Sequence, residues 1–204
     1  PSFTVSLNGV KLVQDLDYSV TYLSNKNVGT AKLVICGKGV YTNSLTKTFT
    51  IRPETMASAV ITGCKAKYSY TGKQVKPLIQ VVWNGKILRN NTDYTLLYKN
   101  NKKRGSAGIV VTGKGNYSGT LTASFTIVRA SVKKASVTGL KAVYARTGKA
   151  VKPKVTVKLG GKKLKKKRDY ILSYRKNKKK GTALLYIKGV GNYSGTKKMK
   201  FKIR

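Results

Sequence analysis

Apolar and polar residues alternate along most of this chain, and turn residues interrupt the alternation roughly every eight to twelve positions. Phe3, Val5 and Leu7 alternate with polar residues, Asn8-Gly9 follows, and Val10-Lys11-Leu12 resumes the pattern. Two such runs joined by Asn-Gly predict a hairpin, because its turn needs positive φ at both central residues. Asn84-Gly85 and Gly160-Gly161 predict the same turn twice more. In the next predicted strand Tyr18, Val20 and Tyr22 share one face, since side chains alternate along a strand. Tyr94, Leu96 and Tyr98 repeat this, as do Tyr170, Leu172 and Tyr174. A polar turn ending in Gly29, Gly105 or Gly181 then leads to a strand with inner residues Ala31-Leu33-Ile35, Ala107-Ile109-Val111 or Ala183-Leu185-Ile187. A closing strand carries Phe49 and Ile51, Phe125 and Ile127, or Phe201 and Ile203. No helical period is sustained, so the pattern predicts an all-β sandwich.

The equivalence of these segments is a strict repeat. Copies begin at Asp17, Asp93 and Asp169, 76 residues apart without insertion or deletion. A fixed period of this length marks a tandem array of one folding unit. The expected units are residues 1–52, lacking their leading strands, 53–128 and 129–204, arranged in series as an elongated rod. The later copies carry a leader, from Ala59 and from Ser136, that adds one or two strands. It is expected to open its own unit and not to close the preceding one. Pro77 and Pro153 fall early in the strand that follows, where an edge or bulge needs no ladder N–H. Pro1 occupies the repeat position of Pro77, so the chain is expected to start inside a unit. A missing signal peptide therefore carries no information about export.

Composition narrows the chemistry. The 204 residues hold 43 Lys and Arg against 5 Asp and Glu, a net charge of +38, and no histidine. Such a charge opposes compaction and favours polyanionic partners. Without histidine or a paired nucleophile and base, general acid–base catalysis lacks candidates, so no enzyme, cofactor or metal is expected. Cys36 and Cys64 are outside any CxxC spacing. No run of apolar residues is long enough to span a membrane as a helix.

Several separated motifs carry a resemblance: Tyr-Thr-Gly-Lys at 70–73, Asp93-Tyr94, Tyr98-Lys99-Asn100-Asn101, Gly113-Lys114-Gly115-Asn116-Tyr117, and a terminal Phe-Thr-Ile. The chain resembles, over its whole length, the bacterial Ig-like repeats found in tandem in large secreted or surface proteins of Gram-positive bacteria. The resemblance implies an extracellular β-sandwich serving as a spacer, adhesion or retention module. It implies no catalytic residues.

Charge departs from an ordinary repeat. The net is +4 over residues 1–52, +9 over 53–128 and +25 over 129–204. The added cations follow strand register: Thr122, Ser124, Thr126 and Val128 become Lys198, Lys200, Lys202 and Arg204. Alternate strand residues recur about every 6.6 Å, so the last copy gains a linear stripe. Lys152, Lys154 and Lys158 predict a second stripe, and two loops add Lys165, Lys166, Lys167 and Arg168, then Lys176, Lys178, Lys179 and Lys180. These are the candidate polyanion-binding residues.

Other residues admit competing readings. The inward tyrosines are read as packing and not as stacking platforms. Tyr186 replaces Val110 on the outward face and is the candidate ligand contact. Asp17, Asp93 and Asp169 are read as turn caps before their strands, against the alternative of promoting a Lys–Asn isopeptide crosslink. Cys36 and Cys64 form either one disulfide or two independent thiols, and sequence does not choose. Gly113-Lys114-Gly115 lacks the following helix of a phosphate loop and reads as turn geometry.

Three functions from different classes follow. The first is a retention module whose last copy holds an anionic cell-wall polymer or similar polyanion. The second is a stalk or an adhesin that binds a glycan or host protein. The third is non-specific nucleic-acid binding, without base readout since no recognition helix is present. Lysine outnumbers arginine 35 to 8, which suits loosely specified phosphates better than planar bidentate recognition.

Overall fold

The computed structural model describes residues 2–204; Pro1 lies outside them. The fold is all-β, with several small sheets and, among the described residues, a single turn of 3-10 helix at Val132–Lys134. The first copy supplies β1 (Ser6–Leu7), β2 (Val10–Lys11), β3 (Tyr18–Leu23), β4 (Gly29–Gly37) and β5 (Ser44–Ile51). The second supplies β6 (Glu54–Thr55), β7 (Val60–Thr62), β8 (Lys67–Ser69), β9 (Gln80–Trp83), β10 (Lys86–Leu88), β11 (Tyr94–Lys99), β12 (Gly105–Gly113), β13 (Tyr117–Ser118) and β14 (Thr120–Val128). The third repeats that series as β15 (Ala130–Ser131), β16 (Ser136–Thr138), β17 (Val143–Tyr144), β18 (Thr156–Leu159), β19 (Lys162–Lys163), β20 (Tyr170–Arg175), β21 (Gly181–Gly189), β22 (Tyr193–Ser194) and β23 (Thr196–Ile203).

Contacts divide the chain into two compact units. One runs to Thr62 and adds Gln80–Leu97 and Val110–Leu121; the other comprises Gly63–Ile79, Tyr98–Ile109 and Thr122–Arg204. In the first unit β1 and β2 form the expected hairpin, with Asn8 and Gly9 both at positive φ. The sheet β3-β4-β5 covers a small core of Tyr18, Leu33 and Ile35. The hairpin β9-β10 turns at Asn84-Gly85 and takes β7 on its free edge, Val60 opposite Val82.

In the second unit the third copy shows the complete arrangement. A four-stranded sheet, β17-β23-β21-β20, and a three-stranded one, β16-β18-β19, contribute to one core. Leu185, Ile187, Phe201 and Ile203 from the first sheet join Val157 from the second. Ridge alternation is clean: along β21 Ala183, Leu185 and Ile187 are buried, and along β23 Phe201 and Ile203 are. The leader belongs to its own copy, since β17 runs parallel to β23 and β8 runs parallel to β14. Each brings a tyrosine edge-on to the closing-strand phenylalanine, Tyr68 to Phe125 at 5.2 Å and Tyr144 to Phe201 at 5.4 Å. β5 has no strand in that position among the described residues, and there Phe49 is only half-buried, whereas Phe125 and Phe201 are each 2% exposed.

Pro77 and Pro153 differ from expectation. Both are buried, but in an extended run that precedes β9 and β18, outside any ladder. The backbone there is satisfied by side chains, as a buried non-strand segment requires. Tyr98 and Tyr174 donate their hydroxyls to the carbonyls of Pro77 and Pro153, the second at 2.7 Å. Asn101 and Asn177 donate their side-chain amides to the Val75 and Val151 carbonyls, and the N–H groups of those valines bond the asparagine backbone carbonyls in return.

Candidate polyanion surface

The closing strand carries its cations as the register predicts. Lys198, Lys200 and Lys202 are exposed, alternating with half-buried Met199 and buried Phe201 and Ile203. Arg204 follows, exposed, its backbone N–H bonded to Tyr144. Across the ladder Lys198 lies opposite Tyr186, and Tyr186 lies opposite Ser173. The half-buried Tyr186 ring is flanked by Lys198 Nζ at 6.0 Å and by the Arg175 guanidinium at 5.7 Å. The ring therefore sits among this chain's own cations and steadies them on the outward face. Arg175 was not singled out from sequence, although its alternation with Leu172 and Tyr174 along β20 marks it as outward.

The second stripe is less regular. Lys158 lies on β18, exposed, while exposed Lys152 and Lys154 flank buried Pro153 in the irregular run before it. Lys158 thus belongs to the three-stranded sheet and Lys198, Lys200 and Lys202 to the four-stranded one. Lys176, Lys178, Lys179 and Lys180 are exposed around a loop hollow of about 550 Å³ that also includes Asn177, Gly181 and Thr182. The cations do not converge on one pocket. They are spread over two sheets and two loops.

The loop Lys165–Arg168 is not uniformly free. Lys165, Lys166 and Lys167 are exposed, but Arg168 closes a fork on Asp169, with both contacts at 2.9 Å. Asp169 also accepts the Lys165 backbone N–H at 2.9 Å. Asp93 and Asp17 accept from Arg89 and Val13 in the same way, at 2.8 and 2.7 Å. All three aspartates therefore cap the turn before their strand. Among the described residues only Asp93 and Asp169 form ion pairs, so Lys198, Lys200 and Lys202 have no neutralising carboxylate.

Arg168 holds the Asp169 carboxyl below the ordinary carboxylate range; burial opposes this, and the Lys165 amide adds to the lowering. A folded-state pKa below the unfolded one contributes stability above the ordinary carboxylate value of about 3.9, lost as pH falls through the depressed value. Asp169→Asn is expected to lower the melting temperature at pH 7 and to converge with wild type near pH 2. Thermal unfolding of both proteins across that range measures it, and a constant gap would show that ionisation of Asp169 contributes nothing.

Cys36 is exposed and Cys64 half-buried, and each is a free cysteine. Burial raises the Cys64 thiol pKa, opposed by a hydrogen bond with Tyr68, which disfavours the nucleophilic thiolate. Among the described residues no group of three or more His, Cys, Asp or Glu comes together, and no helix is long and apolar enough to cross a membrane. Gly113 and Gly189 end β12 and β21 just before tight strand-to-strand turns, where a Cβ would fall 2.8 Å from Ser118 and 2.7 Å from Ser194 backbone nitrogens. Close backbone approach is what these glycines serve. Neither a scan against protein-family models nor a search of curated proteins finds a match to this chain.

Proposed function

We propose that this chain is a non-catalytic extracellular repeat region of serial Ig-like sandwiches at residues 1–52, 53–128 and 129–204, in which the last copy holds an anionic polymer at a Gram-positive cell surface. The observation that carries this reading is the step from +9 to +25 between two copies of one fold, placed on exposed strand and loop positions where, among the described residues, only Arg168 has a carboxylate partner. Lysines spread over two sheets suit a flexible chain of repeated charges better than a small ligand in a pocket. Each exposed contact contributes little, and their number makes binding strong and reversible.

The test is titration of the whole chain with a poly(glycerol phosphate), heparin and single-stranded DNA over a salt series. Counterion release makes log affinity fall linearly with log salt, with slope roughly −0.7 per neutralised phosphate on a flexible single chain. All three polymers are expected to bind with steep, similar slopes. Affinity indifferent to salt would return the lysines to a solvated surface and leave the stalk or adhesin reading in force.

A further inference from the structure

The two junctions between consecutive copies use the same parts differently. In the first compact unit the loop of copy one clasps the Gly-Asn turn of copy two. Val28 N–H donates to Asn116 Oδ1 at 2.8 Å, and Asn116 Nδ2 donates to Asn27 Oδ1 at 2.9 Å. The Asn116 side chain is thus engaged through both its oxygen and its nitrogen. In the second unit the corresponding loop and turn are Lys102–Arg104 and Gly191-Asn192, and Asn27 and Val28 have become Lys103 and Arg104. Arg104 donates to the Gly191 carbonyl at 3.4 Å, which keeps the loop against the turn. Among the described residues the half-buried Asn192 side chain has no hydrogen-bond partner, although its backbone carbonyl accepts from Ala130 at 3.0 Å.

Around that amide the second unit forms a cleft of about 560 Å³, lined by Tyr70, Gly72, Lys102, Lys103, Arg104 and Asn192. Tyr70 is its aromatic wall, held edge-on by Tyr193 at 5.8 Å with Lys162 Nζ over its ring at 5.7 Å. Gly72 takes a positive φ, which favours glycine, and Lys162 Nζ reaches in beside it. Among the described residues none of these cations has a carboxylate partner. The half-buried amide offers its N–H donors to the cleft, and the exposed cations around it favour a ligand that carries negative charge on several acceptor oxygens.

We infer that this cleft is a binding site for a tetrahedral oxyanion, a phosphate or sulfate group, held by Lys102, Lys103, Arg104 and Asn192 Nδ2 beside the Tyr70 ring. The inference rests on the polyanion reading for its natural ligand, a polymer bearing such groups, and adds a fixed point to a surface that is otherwise diffuse. Phosphate and sulfate share the required chemistry, and the two are distinguished by testing each.

The experiment follows the Asn192 side-chain amide by NMR in the whole chain while sodium phosphate, and separately sodium sulfate, is added at constant ionic strength. Saturable shifts in the millimolar range are expected with at least one anion, and the tighter one names the group. Lys103→Asn with Arg104→Val, which restores the copy-one residues, is expected to weaken binding at least fivefold. Asn192→Asp, followed through the Tyr70 resonances, is expected to abolish it. Lys198→Thr with Lys200→Ser and Lys202→Thr is expected to leave it unchanged. An Asn192 amide that does not move, or moves equally in the Lys103/Arg104 variant, overturns the site. Polymer binding by the whole chain would then stand on the last copy alone. Saturable anion binding without polymer binding would keep the site and discard the polyanion reading.

Discussion

Replacing Tyr170 by alanine is expected to destabilise the third copy by about 3–5 kcal/mol, the range for large aromatic truncations in a packed core. Tyr170 is 3% exposed and packs into the cluster that includes Val157, Leu164, Ile187 and Tyr193. Its backbone carbonyl accepts Lys167 N–H at 2.7 Å, and alanine keeps that bond, so the loss measures the ring. Burial also raises the Tyr170 hydroxyl pKa, as expected for a phenol withdrawn from water. Tyr18, the copy-one equivalent, is 6% exposed in a smaller cluster where Leu33 and Ile35 are buried and Val5, Leu12, Val20, Tyr22 and Phe49 are half-buried, so Tyr18→Ala is expected to cost less. Denaturant unfolding followed by near-ultraviolet circular dichroism measures both. A Tyr170→Ala protein that unfolded like wild type yet lost polyanion binding would place the ring in a ligand site and overturn the packing assignment.

The face of these tyrosines was legible because strand alternation has period two and three copies report it independently. Tyr94 and Tyr170 are buried where their register puts them, and Lys198, Lys200 and Lys202 are exposed where theirs does. Asn8-Gly9 and Asn84-Gly85 were legible for a stricter reason, since all four residues take positive φ. Pro77 was misplaced because its role depends on Tyr98, 21 residues away, whose hydroxyl takes the proline carbonyl. No local pattern announces that bond.

The junction cleft was hidden for the same reason on a longer scale. Tyr70 stood out only as part of a motif, and its partner Tyr193 is in the next copy. One comparison between copies could have exposed it. In copy two Tyr117 packs edge-on against Trp83 at 5.4 Å, and Trp83 donates its indole N–H to Thr55 at 3.0 Å. At the Trp83 position copy three has Leu159, which leaves Tyr193 to take its aromatic neighbour from the preceding leader. The position holds leucine in copies one and three, Leu7 and Leu159, and half-buried tryptophan in copy two, and that difference was the readable signal. Its spatial meaning required the fold.

Replacing Lys198, Lys200 and Lys202 by Thr, Ser and Thr, their copy-two counterparts, is expected to weaken polyanion binding by up to about 50-fold at 0.15 M salt. That figure follows if each lysine neutralises one phosphate of a flexible chain: three lost contacts lower the log–log slope by about 2. The fold is expected to survive, because all three side chains are exposed and the core residues alternating with them are untouched. Threonine and serine already occupy these positions in β14, whose Phe125 and Ile127 are fully buried. Removing Lys198 also takes one of the two cations from the Tyr186 ring and leaves Arg175, so the outward face keeps its aromatic–cation contact. Equal numbers of lysines removed from the loop at Lys178, Lys179 and Lys180 provide the comparison at constant net charge. A larger loss from the strand than from the loop would mean that linear spacing matters beyond total charge. An equal loss would make net charge the determinant, and unchanged affinity and slope in both variants would remove the last copy from the binding surface.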